Sequence, residues 1–151
     1  MFPLRLALLG GAPALAQTSY LPVFARPERV YFVDTDTEKG MPPALSIGVL
    51  VVIDPPLDGG ISAREMTVSV DCTVNTFTIA GLVSLDAALK QVSTDPEPTK
   101  PAAVGGAFRA VRDCVCDGKI PAGATRYDSR ALALETGFRI IAANRTDPAR
   151  Q

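Results

Sequence analysis

The sequence predicts an α+β fold: an antiparallel meander sheet of four or more strands, with one amphipathic helix packed on one face and a second, C-terminal helix. Three observations predict it. Residues 66–81, MTVSVDCTVNTFTIAG, read as a half-buried hairpin, with Met66, Val68, Val70 and Cys72 on one face and Thr67, Ser69 and Asp71 on the other. Four strand-like runs are joined by short turn-type connections, and parallel neighbours would need long crossovers. Val104, Ala107, Phe108, Val111 and Val115 recur at helical spacing as a single apolar stripe, with Arg109, Arg112 and Asp113 outside it.

Taken in order, residues 1–16 have the pattern of a cleaved signal peptide: a basic start at Arg5, an apolar run and the small-x-small sequence Ala14-Leu15-Ala16. Gly10, Gly11 and Pro13 argue against a stable first helix there. No cysteine follows the cut, so no lipid anchor is indicated, and no run approaches the ~20 apolar residues of a membrane span. Residues 17–151 then form a single α+β domain. Residues 18–27 are a leader strand or a loosely held arm. Residues 28–33 are a strand with Val30 and Phe32 opposite Tyr31 and Val33, running into an acidic turn at residues 34–40. Leu45, Ile47, Val49, Val51 and Ile53 share one face of a central strand that ends at Pro55-Pro56. Asp58-Gly59-Gly60 returns the chain into the hairpin, whose turn is Thr73-Val74-Asn75, with Asn75 suited to a left-handed conformation. Residues 82–92 fit either a strand or a short helix. The prolines at 96, 98 and 101 predict an exposed loop over residues 93–103. The helix at 104–116 ends at Asp117-Gly118, and Asp128 or Ser129 caps a last helix in which Leu134, Phe138 and Ile141 share a face and Gly137 is unfavourable by ~1 kcal/mol.

With 47% hydrophobic and 21% charged residues the chain can close a core. Charge is unevenly spread. Residues 17–103 carry 6 basic and 11 acidic residues, whereas 104–151 carry 8 and 5, seven of the eight being arginine. That asymmetry nominates Arg109, Arg112, Arg126, Arg130 and Arg139 as contacts for a protein or an anionic envelope or matrix component.

The chain has no histidine, which removes Ser-His-Asp and Cys-His catalysis and leaves carboxylate pairs or a Ser-Lys arrangement, neither with a signature here. No phosphate loop or cofactor motif is present, and aromatics do not interleave with basic residues as nucleic-acid binding would require. Asp34, Asp36, Glu38 and Gly40 imitate half a calcium loop, but Lys39 and Leu45 stand where an EF-hand needs glycine and glutamate, so a turn with solvated carboxylates is the reading. Among Cys72, Cys114 and Cys116 an exported protein should form one pair, joining Cys72 to either of the other two. Helix phase puts Cys114 nearer the apolar stripe. A Cys-Val-Cys metal clip lacks the imidazole that would complete a usual zinc site.

The run Val30-Tyr31-Phe32-Val33-Asp34, the turn to Gly40, the long apolar strand, Val70-Asp71-Cys72, Phe77-Thr78-Ile79 and the closing Val115-Cys116 together resemble the bacterial surface-adhesin protein E family over residues 28–118. The resemblance implies an exported protein with an antiparallel sheet and helix, a Cys72–Cys116 disulfide with Cys114 as the alternative, and a role in binding. Cys114, the missing lipoprotein cysteine and a helical extension at residues 119–151 are departures. The expected function is therefore a non-catalytic, periplasmic or extracellular binding or adhesin-like domain, not a lipoprotein, with no cofactor and compatible with a homodimer. The alternatives are a periplasmic small-ligand carrier, with an apolar pocket between sheet and C-terminal helix, and a hydrolase using carboxylates alone.

Overall fold

The computed structural model describes residues 18–147 and Ala149, so the predicted leader at 1–16 lies outside the described residues. Among them, β1 (Tyr20–Arg26), β2 (Arg29–Met41), β3 (Ala44–Leu57), β4 (Ile61–Asp71), β5 (Thr76–Leu85) and β6 (Gln91–Asp95) follow one another across one antiparallel sheet, and the short β7 (Ala102–Ala103) also pairs with β5. Two helices follow, α1 (Ala107–Asp117) and α2 (Arg130–Thr146).

Val30 to Val33 of β2 and Val49 to Ile53 of β3 are apolar at consecutive positions and buried, so alternation gives the sheet two faces that must both be covered. One face presents Tyr31, Val33, Ile47, Val49, Val51, Met66 and Val68 to Ala107, Val111 and Val115 of α1. The other presents Val30, Phe32, Leu50, Val52 and Leu85 to Ala133, Leu134 and Ile141 of α2. The expected α+β meander is what forms, with its helices on opposite faces. No described helix is long and apolar enough to cross a membrane.

Five local expectations need correction or completion. The leader at residues 18–27 is an ordered edge strand, because Tyr20 and Leu21 are buried and Tyr20 exchanges backbone hydrogen bonds with Tyr127. The acidic run after Asp34 is a bulge inside β2, and the reversal comes later, between Met41 and Ala44. Pairing with β3 lapses between Asp34 and Lys39, where the Thr37 hydroxyl donates to the Asp34 carbonyl and accepts from the Gly48 N–H, replacing the lost ladder partner. A Cβ at Gly48 would lie 2.9 Å from that hydroxyl oxygen, so glycine fits the close approach. β3 runs past Pro55 and Pro56 to Leu57, its pairing to β4 interrupted between Val52 and Leu57 where the prolines cannot donate. Residues 82–92 resolve into the end of β5, a turn and the start of β6. The stretch 93–103 predicted as loop contains the end of β6 and the whole of β7, and its three prolines fall between the two strands, where no ladder hydrogen bond is asked of them.

The first helix starts at Ala107 and not at Val104, which is buried ahead of it, because Gly105 and Gly106 intervene; elsewhere the local chemistry is as expected. Asn75 has φ 54°, and the Asp71 carboxylate accepts from the N–H groups of Thr73 and Val74 to tighten the hairpin turn. Gly118 ends α1 in the left-handed conformation, and the Ser129 hydroxyl caps α2 by accepting from Leu132 N–H.

Candidate functional site

α1 lies toward the β1 side of its face, and the face continues beyond it as a cavity over β2–β5. Its floor is made by Tyr31 of β2, Val51 and Ile53 of β3, Met66 of β4, and Ile79 and Leu82 of β5, and Phe108 of α1 forms a wall. The volume is about 220 Å³. Leu82 reaches the floor because of a bulge: Gly81 and Leu82 together oppose Met66, so β5 has one residue more than alternation allows and its phase is reset. Gly81 adopts φ 59°, which glycine takes without strain. Phe108 is fixed by stacking on Phe77 at 4.2 Å and by edge contact with Tyr31, which in turn meets Phe24.

Four charged side chains line the same cavity: Arg29, Arg64, Asp95 and Glu97. Arg64 stands opposite Val51 in the β3–β4 ladder, on the buried face, and its Nε is buried without a hydrogen-bond partner. An unpaired buried donor costs about 1–3 kcal/mol, so this group is a source of binding energy for any acceptor that reaches it. Neither Arg29 nor Arg64 forms an ion pair among the described residues. Asp95 ends β6 and accepts from the Glu97 N–H through Oδ1. The segment after it is held against β5 by two bonds: Thr99 N–H to the Ile79 carbonyl, and Ile79 N–H to the Thr99 hydroxyl. This arrangement can enclose a small apolar body and meet polar groups of either sign.

The chain is similar to protein E of Haemophilus influenzae. A crystal structure of that protein matches at 10% sequence identity, covering 64% of this chain and 93% of that one, with a TM-score of 0.47. No family model matches the chain, and a search of curated proteins found no match.

The disulfide joins Cys72 to Cys116, the pairing that the family resemblance implies, with Cα atoms 5.8 Å apart. It ties the end of the β4 strand run to α1. Cys114 is free and half-buried within the apolar cluster, and burial, with a smaller contribution from Glu38, pushes its thiol pKa up. The same junction carries Arg112, whose guanidinium donates to Asn75 Oδ1, the Cys72 carbonyl, Asp113 and Asp117.

The five nominated arginines are not brought to one surface. Arg109 and Arg112 ride on α1, Arg130 and Arg139 on α2 across the sheet, and Arg126 in the connection between the helices. Arg126 donates to the Thr35 hydroxyl, Arg130 pairs with Glu65 at 2.8 Å, and Arg139 donates to Thr136 of its own helix. Arg109 is exposed, with no partner among the described residues. The described residues hold no group of three or more side chains suited to a metal ion.

Sequence reasoning missed Arg29, Arg64, Asp95 and Glu97. For the arginines a signal existed: extending the alternation of Met66, Val68 and Val70 backwards places Arg64 on the core face, and that of Tyr31 and Val33 places Arg29 there. Asp95 and Glu97 had none, because they depend on how the edge segment folds back over β5.

Proposed function

We propose that this chain is an exported, non-catalytic binding domain of the bacterial envelope, related to the surface-adhesin protein E family, and that its ligand is a small amphipathic molecule held in the cavity beside α1. The observation that carries the reading is an apolar floor combined with a buried, unpartnered Arg64 Nε. A pocket that is mostly hydrophobic with a few placed polar groups is the usual form of a small-molecule site. The carrier expectation put the pocket between the sheet and the C-terminal helix; there Leu134 and Phe138 of α2 border an open apolar groove with the turn at residues 87–89, whereas the cavity lined by charges of both signs lies on the α1 face. Export is supported by the leader pattern and by the Cys72–Cys116 bridge, a bond that persists in oxidising compartments.

Calorimetric titration with isohexanol, an uncharged probe matched to the cavity, tests the reading. Binding to the native chain and its loss in Leu82→Phe, which fills the cavity, are expected, with binding retained in the control Leu132→Phe on the exposed side of α2. Absence of binding to the native chain, or equal binding to Leu82→Phe, refutes it.

Attachment to an anionic macromolecule is a second reading, supported by the charge asymmetry and by exposed Arg109. Replacing Arg109 and Arg126 by glutamine spares the helix–sheet ties of Arg112 and Arg130. Adhesion to an anionic matrix should fall in that double variant and at ~0.5 M salt, where the screening length is only a few ångströms; adhesion indifferent to both excludes it.

A further inference from the structure

Resting on the cavity reading, we infer that the ligand is a zwitterion, an apolar α-amino acid whose carboxylate meets Arg64 and Arg29, whose ammonium meets Asp95 and Glu97, and whose side chain lies on the apolar floor. Charge and size both point to it. The lining carries two guanidinium groups and two carboxylates, and the two signs come from different parts of the fold: the arginines from β2 and β4 within the sheet, the acids from the end of β6 and the segment beyond it. No ion pair joins them among the described residues, so they do not neutralise one another at contact distance. Arg64 Nε is an unused buried donor, and Asp95 spends only Oδ1 on the Glu97 N–H.

A monocarboxylate would satisfy the arginines and leave its charge facing two acids. An amine would do the reverse. A zwitterion meets both sets and carries no net charge into a partly desolvated site, where an unpaired ion is costly. Size points the same way. A cavity of about 150 Å³ accommodates benzene, so by proportion one of about 220 Å³ takes roughly nine non-hydrogen atoms, the size of leucine.

The test compares L-leucine with three molecules of similar apolar body: isohexanoate, which lacks the amine, isopentylamine, which lacks the carboxylate, and uncharged isohexanol. Calorimetry on the oxidised native chain should find leucine tightest, with about tenfold or more lost when either charged group is removed, the usual consequence of deleting a charge-assisted hydrogen bond. Arg64→Gln should weaken leucine and isohexanoate and leave isopentylamine unchanged; the double variant Asp95→Asn, Glu97→Gln should weaken leucine and isopentylamine and leave isohexanoate unchanged. Retained isohexanol binding shows that each variant keeps its fold. Isohexanoate or isopentylamine binding as tightly as leucine, or leucine binding more weakly than isohexanol, overturns the amino-acid assignment while leaving the cavity reading intact. Failure of all four to bind the native chain overturns both.

Discussion

Arg64 occupies a position where the alternation of β4 calls for an apolar side chain, and its buried Nε lacks a partner. Arg64→Met should therefore raise the stability of the unliganded protein by about 1 kcal/mol, since an unsatisfied buried donor is removed and its volume kept; a denaturant midpoint that falls instead would show that Arg64 stabilises the free fold. Cys72 and Cys116 close a separation of 44 residues, for which the chain-entropy model gives about 4 kcal/mol. Reduction should lower the unfolding free energy by that order, read by denaturant titration with and without dithiothreitol. Tyr20 is buried, and desolvation followed by the nearby carboxylates of Glu65 and Asp34 pushes its phenol up from 10.0 to about 12, with Arg130 opposing. The folded state holds this proton longer than the unfolded chain, so the contribution is complete below pH 10 and is lost as pH rises towards 12. Stability measured over that range should decline less in Tyr20→Phe than in the native chain.

At the scale of elements, much of the fold is legible because the apolar periods are strong. The spacing of Val111 and Val115 marks α1, the odd positions from Leu45 to Ile53 mark the α1-facing side of β3, and Asn75 marks the turn between β4 and β5. What alternation cannot show is where it is broken. The bulge at Thr35 to Glu38 keeps an acidic run inside a strand by lending the Thr37 hydroxyl to the ladder, and the bulge at Gly81 turns Leu82 towards the cavity. Gly137 looked like a flaw in α2, yet it is where the helix meets the sheet: a Cβ there would lie 2.6 Å from the Val52 Cβ. Gly137→Ala should destabilise by about 1–3 kcal/mol despite alanine's better helix propensity, as overpacking outweighs propensity. Val52→Gly combined with it removes the Cβ and both γ-methyls that the new methyl would meet and should recover part of the loss, a coupling that a double-mutant cycle measures directly; additive losses would mean that the helix shifts instead.

For the whole molecule, covering a sheet on both faces explains why the five nominated arginines do not form one surface: α1 carries two of them and α2 two more to opposite sides, with Arg126 in the connection. Charge counted along the chain gave no information about this, because sequence proximity between residues 104 and 151 is undone by the crossover from one face to the other. The same arrangement leaves the α1 face only partly covered, and the uncovered part over β2–β5 becomes the cavity. The most direct measurement of the central claim is a methyl NMR map of the oxidised protein during titration with isohexanol. Shifts concentrated at Val51, Ile53, Met66, Ile79 and Leu82, with Val30, Leu50, Val52 and Ile141 on the opposite face unmoved, are the result predicted; shifts scattered over both faces, or confined to the α2 side, would contradict a binding domain built around this cavity.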